Sequence, residues 1–309
     1  MGVNDTIHSQ LYMLHCAYVI FTHRIHTVMS VNGSHIYNSD SYYFTSYSIQ
    51  HTFIIYIGWA EHNPDECWAA ASKCLINVKN TLPPDCQIQA LGITNHRESV
   101  VVWNKHTGKA LHNTILWLDT RTQGKRQKMI TQLGDAGKEM IRHKCGLPIE
   151  TYFTALKLSW LYDNVPSVKD AMDNGTAMVG TIDCWLVYML TKGEAYVTDV
   201  TNASRTMLMN IDTCQWDPEL IKAFGLPLTM LLPRISSSSE VYGHVRSIPS
   251  LSNVPVSGIL GDQQAALVGQ GCLATGSVKN TYGTGMCGIH RYRHTLYVGS
   301  YPYMKRYHY

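Results

Sequence analysis

The 309-residue chain is 45% hydrophobic and 15% charged, enough apolar sequence to bury a sizeable core and to fill one large domain with part of another. Its formal net charge is only +3 with 15 histidines counted neutral, which supplies no basic stripe and excludes nucleic acid as the expected partner. Nine cysteines without a Cys-x-x-Cys pair point to neither a zinc site nor a disulfide framework, so no metal ligand is assigned and reduced cytoplasmic thiols are expected.

Met1-Gly2-Val3-Asn4-Asp5-Thr6 fits a short myristoylation pattern that recurs by chance, and a plain start is expected. The apolar run from Leu11 to Phe21 is broken by His15 and lacks a positive flank, so neither a membrane span nor a signal peptide is predicted. Residues 1–57 hold one basic residue other than histidine, Arg24, two acids, six histidines and seven tyrosines. That composition is unlike a solvated surface and marks a boundary at Gly58.

Ordinary α/β sequence follows. Asn63-Pro64-Asp65-Glu66 supplies an N-cap, a first-turn proline and two acids for a helix running to about Asn80. Gln89 to Thr94 and Ser99 to Trp103 read as strands, Asn104 to Gly108 as a hairpin turn and Asn113 to Trp117 as a third strand. Helices are predicted over Phe153 to Asn164, Asp183 to Leu190, Pro218 to Phe224 and Gln263 to Gly269, with strands over Met207 to Ile211 and Val254 to Leu260. Ser236 to Ser239 reads as a loop. From Gly288 the chain carries Arg291, Arg293, Lys305 and Arg306 with six tyrosines and no acid, and it is expected to pack poorly.

The chemistry concentrates in Gly258-Ile259-Leu260-Gly261-Asp262-Gln263-Gln264 and in Thr281-Tyr282-Gly283-Thr284-Gly285. A carboxylate just past an apolar strand, followed by a glycine turn with a hydroxyl, suits phosphoryl transfer: one group orients an alcohol, and backbone N–H groups meet phosphate oxygens. Asp262 falls where a strand gives way to a helix, the end at which open α/β sheets place ligands, although aspartate is equally at home there as a helix cap.

Eight collinear segments then resemble one family. Gly58 to Pro64, Thr94 to Glu98, Gly146 to Pro148, Thr151 to Phe153, Gly180 to Asp183, Thr198 to Thr206, Gly261 to Gln264 and Lys279 to Gly285 look like the glycerol kinases of the FGGY carbohydrate-kinase group. The resemblance implies an α/β, actin-like (RNase-H-like) first domain with a mixed sheet and flanking helices, incomplete at both ends. The expected division is an atypical segment at 1–57, the substrate domain at 58–270, and a stub of the nucleotide domain with a divergent tail at 271–309.

The same resemblance implies ATP-dependent phosphorylation of glycerol to glycerol 3-phosphate in the cytoplasm, with ATP and Mg²⁺ as cofactors and possible oligomers. It places Arg97, Glu98, Tyr152, Asp262 and Gln263 around the glycerol hydroxyls and Trp117 as an apolar wall. Asp262 is then the catalytic base, and Thr284 and Gly285 meet the nucleotide phosphates. A triol needs both donors and acceptors, which Arg97 and Glu98 supply as adjacent charges expected to offset each other's burial. These polar groups are expected to surround one cavity.

Two departures bear on activity. Nothing in residues 1–57 matches the family's opening Asp-x-Gly-Thr-x-x-x-Arg, and Cys287 stands where a phenylalanine wall is expected. The chain is therefore expected to be truncated and nearly inert, since phosphoryl transfer depends on positioned charge around the γ-phosphate. Two alternatives stay open: another FGGY sugar kinase, against which the Arg97-Glu98 pair and Thr198 to Thr206 argue, and a product that binds without turnover.

Overall fold

The computed structural model describes residues 57–84 and 87–280 with their side chains, together with backbone strands within 17–49 and 281–308. The first described strands are β1 (Ala17–Phe21), β2 (Arg24–Val31) and β3 (Tyr42–Ile49). Strand β4 (Glu61–His62) precedes helix α1 (Pro64–Thr81), and β5 (Leu91–Asn95) leads to β6 (Val101–Asn104) and β7 (Thr114–Ile115). Helices α2 (Gln123–Cys145), α3 (Thr154–Asn164) and α4 (Pro166–Asp173) follow, then β8 (Ala177–Gly180), α5 (Ile182–Leu190), β9 (Val197–Asp199) and α6 (Val200–Ala203). The chain continues through β10 (Met209–Asn210), β11 (Gln215–Trp216), α7 (Pro218–Ala223), β12 (Arg234–Ser236), β13 (Gly243–His244), β14 (Pro255–Gly261) and α8 (Asp262–Gly269). Strands β15 (Val278–Tyr282), β16 (Met286–Tyr292), β17 (Thr295–Ser300) and β18 (Tyr303–His308) form a separate antiparallel sheet.

The main sheet has the order β13-β14-β5-β1-β2-β3. Strands β1 and β14 both run parallel to the central β5, while β2, β3 and β13 pair antiparallel to their neighbours. The register aligns Phe21 with Asn95 and Asn95 with Gly261, so three parallel strands end level. Ligands of open α/β sheets bind at that end.

Residues 1–57, set off by composition at Gly58, nonetheless supply three strands of the main sheet. The physical reason lies in residue type. Tyr42-Tyr43-Phe44-Thr45-Ser46-Tyr47 and Ala17 to Phe21 are rich in aromatic and β-branched residues, which favour extended backbone whatever they imply about a surface. From Met286 the chain forms strands β16 to β18 of the separate antiparallel sheet, a meander that shares no pairing with the main one.

Helix α1 forms as its cap predicts. Asn63 accepts the N–H of Asp65 at 2.9 Å, Pro64 occupies the first turn, and Cys67, Ala70, Ala71, Cys74, Leu75 and Val78 line one buried stripe. Helix α2 was not expected. Only Met129, Ile141 and Cys145 are buried along it, so its apolar stripe is too thin to show a period of 3.6, and it ends on Gly146 at φ +70° with the N–H bonded to Arg142 O. The strand read at Asn113 to Trp117 shrinks to Thr114–Ile115, which pairs with β4.

Two cores flank the hairpin of β6, which pairs with β8. One centres on fully buried Trp103, packed edge to face on Trp185 with ring centroids 5.4 Å apart. The other lies among α2, α3, α4 and α7 around Leu156, Leu158 and Val179.

Below the sheet end sits a buried carboxyl. Asp183 accepts hydrogen bonds from Thr181 Oγ1 at 2.5 Å and Thr198 Oγ1 at 2.7 Å. Burial, reinforced by the nearby Asp199 carboxylate, pushes Asp183 from 3.8 up to about 7. Between those values the folded chain keeps a proton that the unfolded chain has lost, so the stabilisation is complete at low pH and fades as pH rises towards 7. Urea unfolding at pH 4.5 and pH 7.5 should show wild type losing about 2–4 kcal/mol relative to Asp183→Asn across that interval. Equal slopes for the two proteins would place Asp183 ionised in the fold.

Candidate active site

The level strand ends carry the site. Arg97 lies two residues beyond Asn95 at the end of β5, and Asp262 one residue beyond Gly261 at the end of β14. Because Asn95 and Gly261 are register partners, the two side chains converge, and Arg97 Nε stands 3.5 Å from Asp262 Oδ1. Arg97 is 5% exposed and Asp262 30%, so the cation is held inside and the carboxylate is partly open to solvent.

Gly261 makes this approach possible. A Cβ there would fall 2.4 Å from Arg97 Cδ and 2.9 Å from its Cγ, so the arginine lies directly across the glycine backbone. Asp262 is the first residue of α8 rather than its cap, a position held by Gly261, and Asp262 Oδ1 accepts the N–H of Gln263 at 2.8 Å. Gln263 Oε1 accepts from Lys279 Nζ at 3.2 Å, which brings β15 to the same rim.

The two adjacent charges Arg97 and Glu98 do not offset one another as expected. Arg97 pairs with Asp262, whereas buried Glu98 accepts from Arg205 Nε at 2.5 Å. Backbone geometry separates them: Glu98 has φ +67°, in the left-handed region that non-glycine residues rarely adopt and that clusters at functional sites. The bend is held by Ser99 N–H to Arg97 O at 2.8 Å and by Thr154 Oγ1 donating to Glu98 O at 3.1 Å.

Aromatic rings close one side. Trp117 and Tyr152 meet edge to face with centroids 5.5 Å apart, and Arg205 lies over Tyr152 at 5.6 Å and over Phe153 at 4.8 Å. Trp117 N–H donates to Ser99 Oγ at 3.0 Å, so the wall is tied to the bend that carries Glu98. Burial pushes the Tyr152 hydroxyl well up from its usual value; the carboxylates of Glu98 and Asp262 act in the same sense, and Arg205 and Arg97 oppose them. Arg97, Glu98, Trp117, Tyr152 and Asp262 are therefore one constellation, and Gln263 adjoins it.

Sequence reasoning missed two residues here. Arg205 sits within the quoted Thr198 to Thr206 stretch but carried no signal of its pairing with Glu98 across 107 positions. Lys157 is fully buried, and its Nζ donates to the carbonyls of Thr151 at 3.1 Å, Tyr152 and Phe153 at 3.4 Å, cross-linking the segment that presents Tyr152. Burial pushes its ammonium down to about 7. A lysine on an apolar helix face was the only sign of it.

Thr284 and Gly285 lie outside the described residues. Among the described residues no cluster of three or more His, Cys, Asp or Glu side chains could hold a metal ion. Asp262, 30% exposed and with Oδ1 3.5 Å from Arg97 Nε, would offer one carboxylate to Mg²⁺, an ion that takes one or two carboxylates together with substrate phosphates and water. No helix among the described residues is long and apolar enough to cross a membrane.

Over residues 28–269 the chain matches the FGGY family of carbohydrate kinases, N-terminal domain, and it belongs to that family. The match opens inside β2, ahead of Gly58. The chain is 48% identical over 232 residues to a glycerol kinase from Brucella anthropi, covering 74% of this chain and 46% of that protein. It is 47% identical over 239 residues to a probable glycerol kinase from Caenorhabditis elegans, covering 75% and 47% respectively. The solved structure of Plasmodium falciparum glycerol kinase with ADP aligns at a TM-score of 0.78 and 34% identity over 89% of this chain and 54% of that one. Xylulose kinase from Rhodospirillum rubrum, at 18% identity and a TM-score of 0.77 over 91% of this chain and 57% of that one, shares the fold. The chain thus spans about half the length of the curated relatives it matches.

The Glu98–Arg205 pair is buried enough to matter to stability. A double-mutant cycle of Glu98→Gln and Arg205→Gln, followed by chemical unfolding, should return a coupling of about 1–3 kcal/mol. A coupling near zero would mean that Glu98 finds its compensation elsewhere.

Proposed function

We propose that this chain carries the polyol half-site of an ATP-dependent glycerol kinase. The observation that carries the reading is the Arg97–Asp262 contact at the level ends of two parallel strands, with Asp262 partly open to solvent. Its glycerol kinase relatives, at 47–48% identity, support glycerol over a pentulose as the substrate.

Each group has a chemical task. Arg97 donates to a hydroxyl oxygen, Glu98 accepts a hydroxyl proton, and Tyr152 with Trp117 covers the carbon chain. Asp262 takes the proton of the terminal hydroxyl as that oxygen bonds to the γ-phosphorus of ATP and the bond to the bridging oxygen breaks, releasing ADP; this suits a carboxylate placed at the rim rather than deep in the fold. Gln263 orients a neighbouring hydroxyl through its amide.

ATP is the phosphoryl donor that the family implies, and Mg²⁺ would neutralise charge on its phosphates. Phe21, the last residue of β1, is level with Asn95 and Gly261, and the sequence from there reads Phe21-Thr22-His23-Arg24 rather than the family's Asp-x-Gly-Thr. The described cysteines carry thiols rather than disulfides, as a reducing, cytoplasmic setting would keep them.

Glycerol titration of the full chain by calorimetry or ligand-observed NMR tests the reading. Binding is expected at about millimolar strength, since a three-carbon ligand has few atoms with which to offset its loss of freedom. Arg97→Met and Asp262→Asn should each abolish it, while glycerol-dependent ADP formation stays at background. Binding unaffected by both substitutions would sink the site assignment, and robust turnover abolished by Asp262→Asn would sink the half-site reading.

A further inference from the structure

The strand end that presents Asp262 is held from outside its sheet. Gly261 donates its N–H to Thr201 Oγ1 at 2.7 Å, and the same hydroxyl stands 2.7 Å from Asp199 Oδ2. A threonine hydroxyl has one hydrogen to give. Giving it to the Asp199 carboxylate turns a lone pair towards Gly261, so the direction of this bond is set by the aspartate behind it.

Asp199 is itself tightly engaged. It caps α6 through the N–H groups of Thr201 at 3.1 Å and Asn202 at 3.0 Å, and it accepts from Ser238 Oγ at 2.7 Å and Asn202 Nδ2 at 2.8 Å. Asn202 in turn accepts from Asn95 Nδ2 at 2.9 Å. Asp199, Thr201, Asn202 and Asn95 are all buried. One short helix therefore grips both strand ends of the site, at Asn95 ahead of Arg97 and at Gly261 ahead of Asp262.

The grip on Gly261 matters because there is no slack around it. Arg97 lies against the face of Gly261 where a Cβ would project, so any rotation of that peptide changes how Asp262 meets Arg97. The cap of α6 needs only Asp199, which leaves the Thr201 hydroxyl with a task beyond stabilising its helix.

We propose that Thr201, oriented by Asp199, is a positioning residue for Asp262: its hydroxyl fixes the Gly261 peptide and thereby sets the carboxylate beside Arg97. This rests on the reading of Arg97 and Asp262 as the polyol-binding pair. Thr201 touches neither reacting group and acts through one peptide bond.

The test uses the full chain with Thr201→Val, which keeps the shape and removes the hydroxyl, and Thr201→Ser, which restores it. Thr201→Ala replaces the valine variant if that one fails to fold. Three readouts are taken: amide exchange of Gly261, the NMR resonance of the Arg97 Nε–H, and the glycerol dissociation constant. Asp262→Asn calibrates the resonance, and Val179→Ala, a core change away from the site, controls for general loosening.

Thr201→Val should expose the Gly261 amide to exchange, move the Arg97 resonance in the same direction as Asp262→Asn, and weaken glycerol on the order of tenfold. Thr201→Ser should return all three towards wild type, and Val179→Ala should leave the resonance in place. An Arg97 resonance unmoved in Thr201→Val, or moved as far by Val179→Ala, overturns the proposal. If the wild-type chain binds no glycerol, the substrate reading fails on its own, while the exchange and resonance data still decide whether Thr201 positions Asp262.

Discussion

The structure turns on the parallel pairing of β5 with β14. Alignment of Asn95 with Gly261 makes two strands that are far apart in sequence end at the same level, and everything chemical is hung from those two ends. A shift of one residue would reverse the faces of a strand and carry Arg97 away from Asp262. The irregularity between Val256 and Gly258 falls early in β14, before the last four aligned pairs, so the end that matters is regular.

Around that register the molecule solves a burial problem. Taking Arg97, Glu98 and Arg205 out of water costs several kcal/mol for each unpaired charge. The fold offsets this with two separate ion pairs rather than one local one, and it separates them by forcing Glu98 to positive φ. Strain at Glu98 sends the carboxylate to Arg205 and Tyr152 while Arg97 turns to Asp262. The outcome is a cluster in which two cations and two carboxylates are paired across segments distant in sequence.

The same economy of contacts explains the supporting residues. Lys157 joins three successive carbonyls of the segment bearing Tyr152, and Ser99 links the bend at Glu98 to the backbone of Trp117. Each gives buried polar groups a partner and ties together segments that carry site residues. The chain spans about half the length of its curated relatives.

Much of this was written locally. The cap at Asn63, the apolar run ending at Gly261 and the bend after Asn95 are short-range signals, because capping, strand alternation and glycine turns depend on neighbours within a few positions. So are the residue types at Arg97, Glu98, Trp117, Tyr152, Asp262 and Gln263, whose order along the chain resembles one family. What the chain's linear order could not disclose was pairing. That Glu98 seeks Arg205 rather than its neighbour, that α2 exists despite a thin apolar stripe, that three stretches before Gly58 join the main sheet, and that Thr201 holds Gly261, are all decided by contacts between distant segments. Such contacts arise only when strands find their register and side chains compete for buried partners, and that competition is settled by the folded whole.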